Sequence, residues 1–149
     1  MKKSFILCLL LGIISLSNLI LAQTQSLGVV GKLYTKAEAD QLYGPVKQSI
    51  SINTTTLTNL AAKTPDYILF NVINNSLYVL NSSRAVLQGP ATAVSSSQVF
   101  KLFSVSIVKQ LIQQGQSATT SIELRANVLT VTNGDYTLEE ASSCPPVCP

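Results

Sequence analysis

Two cysteines lie near the C-terminus, in the segment CPPVCP that runs from Cys144 to Pro149. Thiols at this spacing can close a local disulfide, join two chains through a disulfide, or act as a dithiol in redox chemistry or Cu(I) binding. A Pro-Pro pair favours the extended polyproline conformation, which would hold the Cα atoms of Cys144 and Cys148 roughly 12 Å apart. A disulfide needs about 4.4–6.8 Å, so a local ring requires a turn in this segment. All three alternatives remain open from the sequence.

The dithiol alternative has little support from the neighbouring residues. The spacing is Cys-x-x-x-Cys rather than Cys-x-x-Cys, and no basic residue lies beside either cysteine in the sequence. Two thiolates suit Cu(I) but do not complete a zinc site, and the sequence has no histidine to complete one. In a few residues the segment resembles the Cys-Pro-Pro-Cys-Pro hinge of immunoglobulin G, which implies pairing between chains; Val147 is the inserted residue. We expect no resident cofactor and no metal.

Ser106 and Lys109 form the second constellation with chemical potential. Together with the two residues between them they match Ser-x-x-Lys, and so resemble the nucleophile motif of penicillin-binding proteins and serine β-lactamases. On a helix, residues three apart share a face, so the lysine could activate the serine. The Ser-Asp-Asn and Lys-Thr-Gly motifs of those enzymes do not occur, and the sequence has no histidine for a triad. We therefore expect a protein that is not an enzyme, with Ser106 and Lys109 as a weak hydrolase alternative.

The acidic residues show no clear catalytic pair. Glu38 and Asp135 have structural uses, the first in a helix cap and the second in a turn. Glu123 and Arg125 would lie on one face of a strand and form a surface ion pair. A glycosidase needs two carboxylates across a cleft, and the sequence does not indicate one.

The first 22 residues have the pattern of a secretory signal peptide. Lys2 and Lys3 precede an apolar stretch, and Ala22 offers a cleavage site. An uncleaved membrane anchor is the alternative, but polar residues from Ser15 onward shorten the apolar stretch. We expect cleavage after Ala22, a secreted or periplasmic protein, and no membrane span after cleavage.

The composition also limits the partners of the protein. Charged residues make up only 11% of the sequence, and the basic ones are scattered singly, so we expect no nucleic-acid binding. Beyond residue 22 the chain would be nearly neutral, and about a third of it is Ser, Thr, Asn or Gln. Such a surface gives weak ionic repulsion between molecules, which suits self-association or an envelope location.

Three segments favour short helices. A capping box of Thr35 and Glu38 begins the first, which ends before Gly44. The second covers residues 54–63, and the third covers residues 105–114. The expected N-cap and stop of the third helix are Ser104 and Gly115. The residues expected to be buried from the first helix are Ala37, Leu42 and Tyr43.

Two hairpins dominate the predicted strands. Residues 67–73 and 76–80 would pair around Asn74-Asn75, with Val72 opposite Leu77 and Phe70 opposite Val79. Residues 121–132 would form the longest strand, with a β-bulge near Val128 or burial on both faces. Asn133-Gly134 would then form a turn that pairs Val131 with Tyr136 and Leu129 with Leu138. Shorter strands are expected at 46–52, 84–87 and 99–103.

These elements predict one α+β domain, in which two or three short helices pack on a mainly antiparallel sheet built from hairpins. Residues 1–22 are assigned to the signal peptide and residues 23–33 to a flexible lead. The single domain covers residues 34–140, and a Cys/Pro-rich tail covers residues 141–149.

The sequence thus favours a secreted or periplasmic, non-enzymatic binding or structural module of the cell envelope. Its partner would be an unidentified protein or envelope component, and self-association through the C-terminal tail is a further alternative. The competing function is a periplasmic thiol protein, redox-active or Cu(I)-binding, that uses Cys144 and Cys148.

Overall fold

The computed structural model describes residues 27–126 and 128–149. The predicted signal peptide, residues 1–22, and the start of the predicted lead lie outside the described residues. In the described part of the chain, no helix is long and apolar enough to cross a membrane. The elements in chain order are β1 (Lys32–Thr35), α1 (Lys36–Tyr43), β2 (Gln48–Asn53), α2 (Thr54–Ala61), β3 (Tyr67–Ile73), β4 (Ser76–Asn81), β5 (Val86–Gln88), β6 (Phe100–Ser104), α3 (Val105–Gly115), β7 (Thr119–Leu124), β8 (Leu129–Asn133), β9 (Tyr136–Glu139) and β10 (Ser142–Cys144).

The strands form two five-stranded antiparallel sheets. Sheet A has the order β1-β9-β8-β7-β2, and sheet B has the order β10-β6-β3-β4-β5. The predicted α+β class, with hairpins and short helices, is confirmed. Strands β3 and β4 carry buried apolar side chains on both faces, so each face of sheet B needs a cover.

The main hydrophobic core combines residues of both sheets with α2 and α3. Helix α3 packs against β6, β8 and β9, and α2 packs against α3 and β2. The buried residues of α2 are Leu57, Leu60 and Ala61. The core includes Ile68, Phe70 and Val79 from sheet B, Ile122, Val131 and Leu138 from sheet A, and Leu57, Val108 and Leu111 from the helices.

A second core lies on the opposite face of sheet B. Leu69 and Leu80 are cross-strand partners there, and both are fully buried together with Phe100. The chain before β1 helps to cover them, because Val30 is buried and exchanges two hydrogen bonds with Ser104. The second core thus includes Val30 from the segment before β1 and Cys144 from β10.

Residues on both sides of the predicted domain, 34–140, also pair with it. Residues 28–33 of the predicted flexible lead are fixed, since Tyr67 Oη donates to Gly28 O at 2.8 Å and β1 begins at Lys32. The predicted tail contributes β10, in which Ser143 pairs with Lys101 of β6.

Each helix begins directly after a strand, and the last strand residue is its N-cap. The caps are Thr35 for α1, Asn53 for α2 and Ser104 for α3. The capping box of Thr35 and Glu38 is confirmed. Ser104 also occupies its predicted position, but its side chain accepts from Val30 N and makes no capping hydrogen bond.

The buried face of α1 differs from the prediction. Ala39 is the buried residue, whereas Ala37 and Leu42 are exposed and Tyr43 is half-buried. Helix α1 packs against β1 and β9. The apolar stripe predicted for this helix is absent. Asp40 contacts Arg125 instead, as described below.

The capping box makes a small, testable contribution to acid stability. Thr35 N and Thr35 Oγ1 donate to Glu38 Oε2 at 2.7 and 2.8 Å, and these bonds hold the pKa of Glu38 below its ordinary value of 4.5. The contribution is fully present above that value and is lost as pH falls through the lower folded-state pKa. We expect Glu38→Gln to lower the urea midpoint at about pH 7 and to have little effect at about pH 3. Asp66→Asn is the control, and an equal loss at both pH values would contradict the prediction.

Two predictions about the strands prove wrong, one in the extent of a strand and one in the register of a hairpin. The predicted long strand is a hairpin of β7 and β8, closed where Arg125 N donates to Val128 O at 3.0 Å, so the parity change marks a turn and no bulge. The next turn is Gly134-Asp135, and Val131 pairs with Leu138 rather than Tyr136. Gly134 takes φ +55°, and a Cβ there would overlap the carbonyl of Gly115.

The β3–β4 hairpin is confirmed in its predicted register. Val72 lies opposite Leu77, and Phe70 lies opposite Val79. Asn74 and Asn75 both have positive φ, as a two-residue primed turn requires. The shorter strands begin one or two residues later than predicted, at Gln48, Val86 and Phe100.

Candidate functional site

Cys144 and Cys148 are joined by a disulfide within the chain. Their Cα atoms are 4.9 Å apart, and the segment turns back on itself where Val147 N donates to Ser143 O at 3.1 Å. The local ring is thus the arrangement that the structure contains. Cys144 is fully buried at the end of β10, whereas Cys148 is exposed.

Arg84 places a guanidinium group against the disulfide. Its Nη1 donates to Cys144 O at 2.9 Å and lies 3.4 Å from Cys144 Sγ. Its Nη2 donates to Gln98 O at 2.8 Å and to Ser95 O at 3.1 Å. The guanidinium carbon lies 5.3 Å from the ring centroid of Phe100. Arg84 therefore holds together the turn after β4, the 89–99 loop and the C-terminal ring.

Sequence reasoning missed Arg84 because it is 60 residues from Cys144. No basic residue lies beside the cysteines in the sequence, and Arg84 comes close to Cys144 only in the folded chain. A positive charge near a sulfur favours the thiolate over the thiol. The arrangement can therefore stabilise a Cys144 thiolate whenever the disulfide is opened.

Removal of the Arg84 side chain should loosen the tail. Arg84→Met leaves the carbonyls of Cys144, Ser95 and Gln98 without their charged donor, so we expect a loss of about 1.5–3 kcal/mol in the free energy of unfolding. Urea unfolding under non-reducing conditions measures it. Lys109→Met is the matched control because Lys109 is exposed, and an equal effect of the two changes would contradict the prediction.

Ser106 and Lys109 lie on α3, and both are exposed. Ser106 lines a shallow cavity of about 220 Å³ together with Asp66 and Tyr67. In the described part of the chain, Ser106 Oγ has no hydrogen bond to Lys109 or to a carboxylate, so the structure does not assemble a nucleophile and its base there. No group of three or more potential metal-ligating side chains comes together among residues 27–126 and 128–149.

Glu123 and Arg125 form a buried pair, and the predicted surface pair is a misassignment. The Arg125 side chain is fully buried, and its Nη2 contacts Glu123 Oε2 at 2.9 Å. Its Nη1 donates to Asp40 Oδ1 at 2.5 Å and to Gly44 O at 2.8 Å. Burial by itself would lower the pKa of Arg125, but its hydrogen bonds to Asp40 and Glu123 raise it above the ordinary value. The contacts of Arg125 with Asp40 and Gly44 join the end of α1 to the β7–β8 hairpin.

A smaller surface cluster surrounds Tyr34 at the edge of sheet A. Tyr34 Oη donates to Glu140, and this bond raises the pKa of Tyr34. Tyr43 packs edge-on at 5.7 Å between ring centroids, and Lys32 Nζ lies 4.9 Å from the Tyr34 ring. Lys32 also lies 3.8 Å from Glu140. These side chains contact one another and fix α1 against β1.

Comparison with protein families, with characterised proteins and with solved structures finds no significant match to this chain. The candidate site is therefore defined by its geometry, in which the Cys144–Cys148 ring and Arg84 are the central residues.

Proposed function

We propose that the protein is a non-enzymatic binding or structural module of the cell envelope, exported to a secreted or periplasmic location. The observation that carries this proposal is the disulfide between Cys144 and Cys148. Such bonds form and persist in oxidising compartments and are rare in the cytosol. The ring closes at the end of β10, which pairs with β6, and this placement supports a structural role.

The use of the other reactive groups supports a structural role over catalysis. Arg84 is occupied by three carbonyl groups, and Arg125 is occupied by Glu123 and Asp40. Glu38 is occupied in a helix cap. Side chains engaged in this way hold elements together and are not directed at a substrate.

Fractionation of cells that express the full chain tests the proposal. We expect the protein outside the cytoplasm, with the disulfide formed and part of it bound to isolated envelopes in a saturable manner. A variant without residues 2–22 is the control and should stay in the cytoplasm with reduced cysteines. Recovery of the full chain as a reduced cytoplasmic protein would overturn the proposal, as would hydrolytic turnover lost in Ser106→Ala.

The contact between Arg84 and the sulfur of Cys144 favours a second candidate, a periplasmic thiol protein. An external thiolate would attack the exposed Cys148 Sγ and form a mixed disulfide, while Cys144 leaves as a thiolate beside Arg84. A second thiolate would attack the mixed disulfide, which leaves both cysteines reduced and the two external thiols joined as a disulfide. The reduced pair could then bind Cu(I).

Reduction kinetics distinguish this candidate from an inert ring. With a small dithiol as reductant, we expect Arg84→Met to slow ring opening severalfold, because the leaving thiolate loses its cation. Arg84→Lys should retain part of the rate. Equal rates in all three proteins, with no Cu(I) uptake by the reduced protein, would contradict a thiol function and leave the structural role intact.

A further inference from the structure

Strand β2 is the longest of the four strands that end the two sheets. It has six residues, whereas β1 has four and β5 and β10 have three each. Natural proteins protect such edges with charges, prolines, bulges or short strands. Lys32 lies in β1, Pro145 follows β10, and the β4–β5 pairing is irregular. Gln48–Asn53 carries neither a charge nor a proline.

Hydrogen bonds to β7 alternate along β2, and this alternation determines which backbone N–H and C=O groups of β2 have no partner in β7; we call these groups open. Thr54 N donates to Ala118 O at 2.9 Å, and in an antiparallel ladder every second residue bonds to the same neighbour. Even-numbered residues of β2 therefore bond to β7. The N–H and C=O groups of Ser49 and Ser51 and the N–H of Asn53 point away from β7, and these three residues are exposed. The C=O of Asn53 is not open, because Asn53 is the N-cap of α2 and its carbonyl accepts the first hydrogen bond of that helix.

Strand β7 gives the same assignment independently. Arg125 N donates to Val128 O across the β7–β8 hairpin, so the odd-numbered residues of β7 bond towards β8. Its even-numbered residues then bond towards β2, and Ile122 pairs with Ile50. In the described part of the chain, no strand pairs with the other side of β2.

We propose that β2 pairs with β2 of a second copy of this chain, antiparallel about a two-fold axis at Ser51. In this register Ser51 lies opposite Ser51 of the second copy, and Ser49 lies opposite Asn53. The Ser51 pair exchanges two backbone hydrogen bonds, and each Ser49–Asn53 pair adds one, from Asn53 N to Ser49 O. The two copies of sheet A then form one continuous sheet with an isologous interface.

The side chains of β2 fit this self-pairing on both faces. On the core face, Ile50 lies opposite Ile52 of the second copy, which extends the apolar side of the sheet. On the outer face, Ser51 already lies 3.4 Å from Ser121 between hydroxyl oxygens, and the second copy would continue this hydroxyl row. No like charges meet, because neither Gln48–Asn53 nor Thr54–Ala61 contains a charged residue.

Cross-linking of single-cysteine variants tests the register directly. With the native disulfide retained and a mild oxidant added, Ser51→Cys should form a covalent dimer, because the two introduced thiols are opposite each other. Ser49→Cys is the matched control and should remain monomeric, since its counterpart lies four residues away along the strand. Equal cross-linking of both variants, or none in Ser51→Cys, would overturn the proposal.

Sedimentation of the full chain tests the interface without a cross-link. We expect a dimer whose fraction increases with concentration, and an increase of about tenfold or more in the dissociation constant for Ser51→Lys, which opposes two like charges. Gln113→Lys adds the same charge on the exposed side of α3 as a control. Ser51→Pro removes a donor that does not bond to β7 and should weaken the dimer similarly. A wild-type monomer at all concentrations, or a dimer unaffected by Ser51→Lys and Ser51→Pro, would overturn the proposal.

Discussion

Replacement of Arg125 by methionine is expected to lower the free energy of unfolding by about 3–5 kcal/mol, the range for breaking a buried ion pair. The change leaves Glu123, whose side chain is only 7% exposed, as a buried carboxylate without its cation. It also removes the contacts to Asp40 and Gly44 that hold the end of α1. Urea unfolding followed by circular dichroism measures the loss.

A double variant separates the buried charge from the loss of packing. Arg125→Met combined with Glu123→Gln removes both charges, so it should recover part of the stability that Arg125→Met loses. Lys109→Met removes an exposed cation and should change the stability by less than about 0.5 kcal/mol. A loss below about 1 kcal/mol for Arg125→Met would contradict the role assigned to this cluster.

Replacement of Asn133 by alanine is expected to cost about 2–4 kcal/mol, because it leaves several buried polar groups without partners. Asn133 is fully buried and joins the end of β8 to the start of α2 and to the loop before β7. Its Nδ2 lies near Thr54 Oγ1 at 3.0 Å, Ser117 O at 3.1 Å, Thr119 O at 3.3 Å and Thr120 Oγ1 at 2.8 Å, and its Oδ1 accepts from Ser117 N at 3.0 Å.

A surface asparagine provides the control for this prediction. Asn59 is exposed on α2, so Asn59→Ala should have an effect within about 0.5 kcal/mol. Thermal and urea unfolding of both variants measure the difference. If Asn133→Ala is no more destabilising than Asn59→Ala, the side-chain network does not stabilise the fold as described.

Local signals in the sequence predicted much of the fold. The Asn74-Asn75 turn and the alternation around it predicted the β3–β4 hairpin with its register. The capping box of Thr35 and Glu38 predicted the start of α1. These features depend on residues a few positions apart, so their physical causes are visible in a short window of sequence.

Contacts between distant segments could not be predicted in this way. Asn-Gly is a strong turn signal, but Asn133 remains in β8 because its side chain fills a buried polar site. Glu123 and Arg125 have charges typical of a surface, but they neutralise each other in the interior, and Asp40 of α1 makes a second contact with Arg125. The contact of Arg84 with Cys144 has no local signal because it exists only after β5 and β10 join sheet B.

The intact mass of the exported protein, with and without reduction and after alkylation of free thiols, tests the central claim most directly. We expect a single, not covalently dimerised, chain that begins at Gln23, is lighter than its reduced form by two hydrogen atoms, and binds alkylating reagent only after reduction; pairing through β2 leaves this mass unchanged because it forms no covalent bond. A chain that retains its first 22 residues with both thiols free would contradict the proposed export and the closed Cys144–Cys148 ring. A reducible dimer or a mixed disulfide would contradict the local ring and assign the tail to attachment.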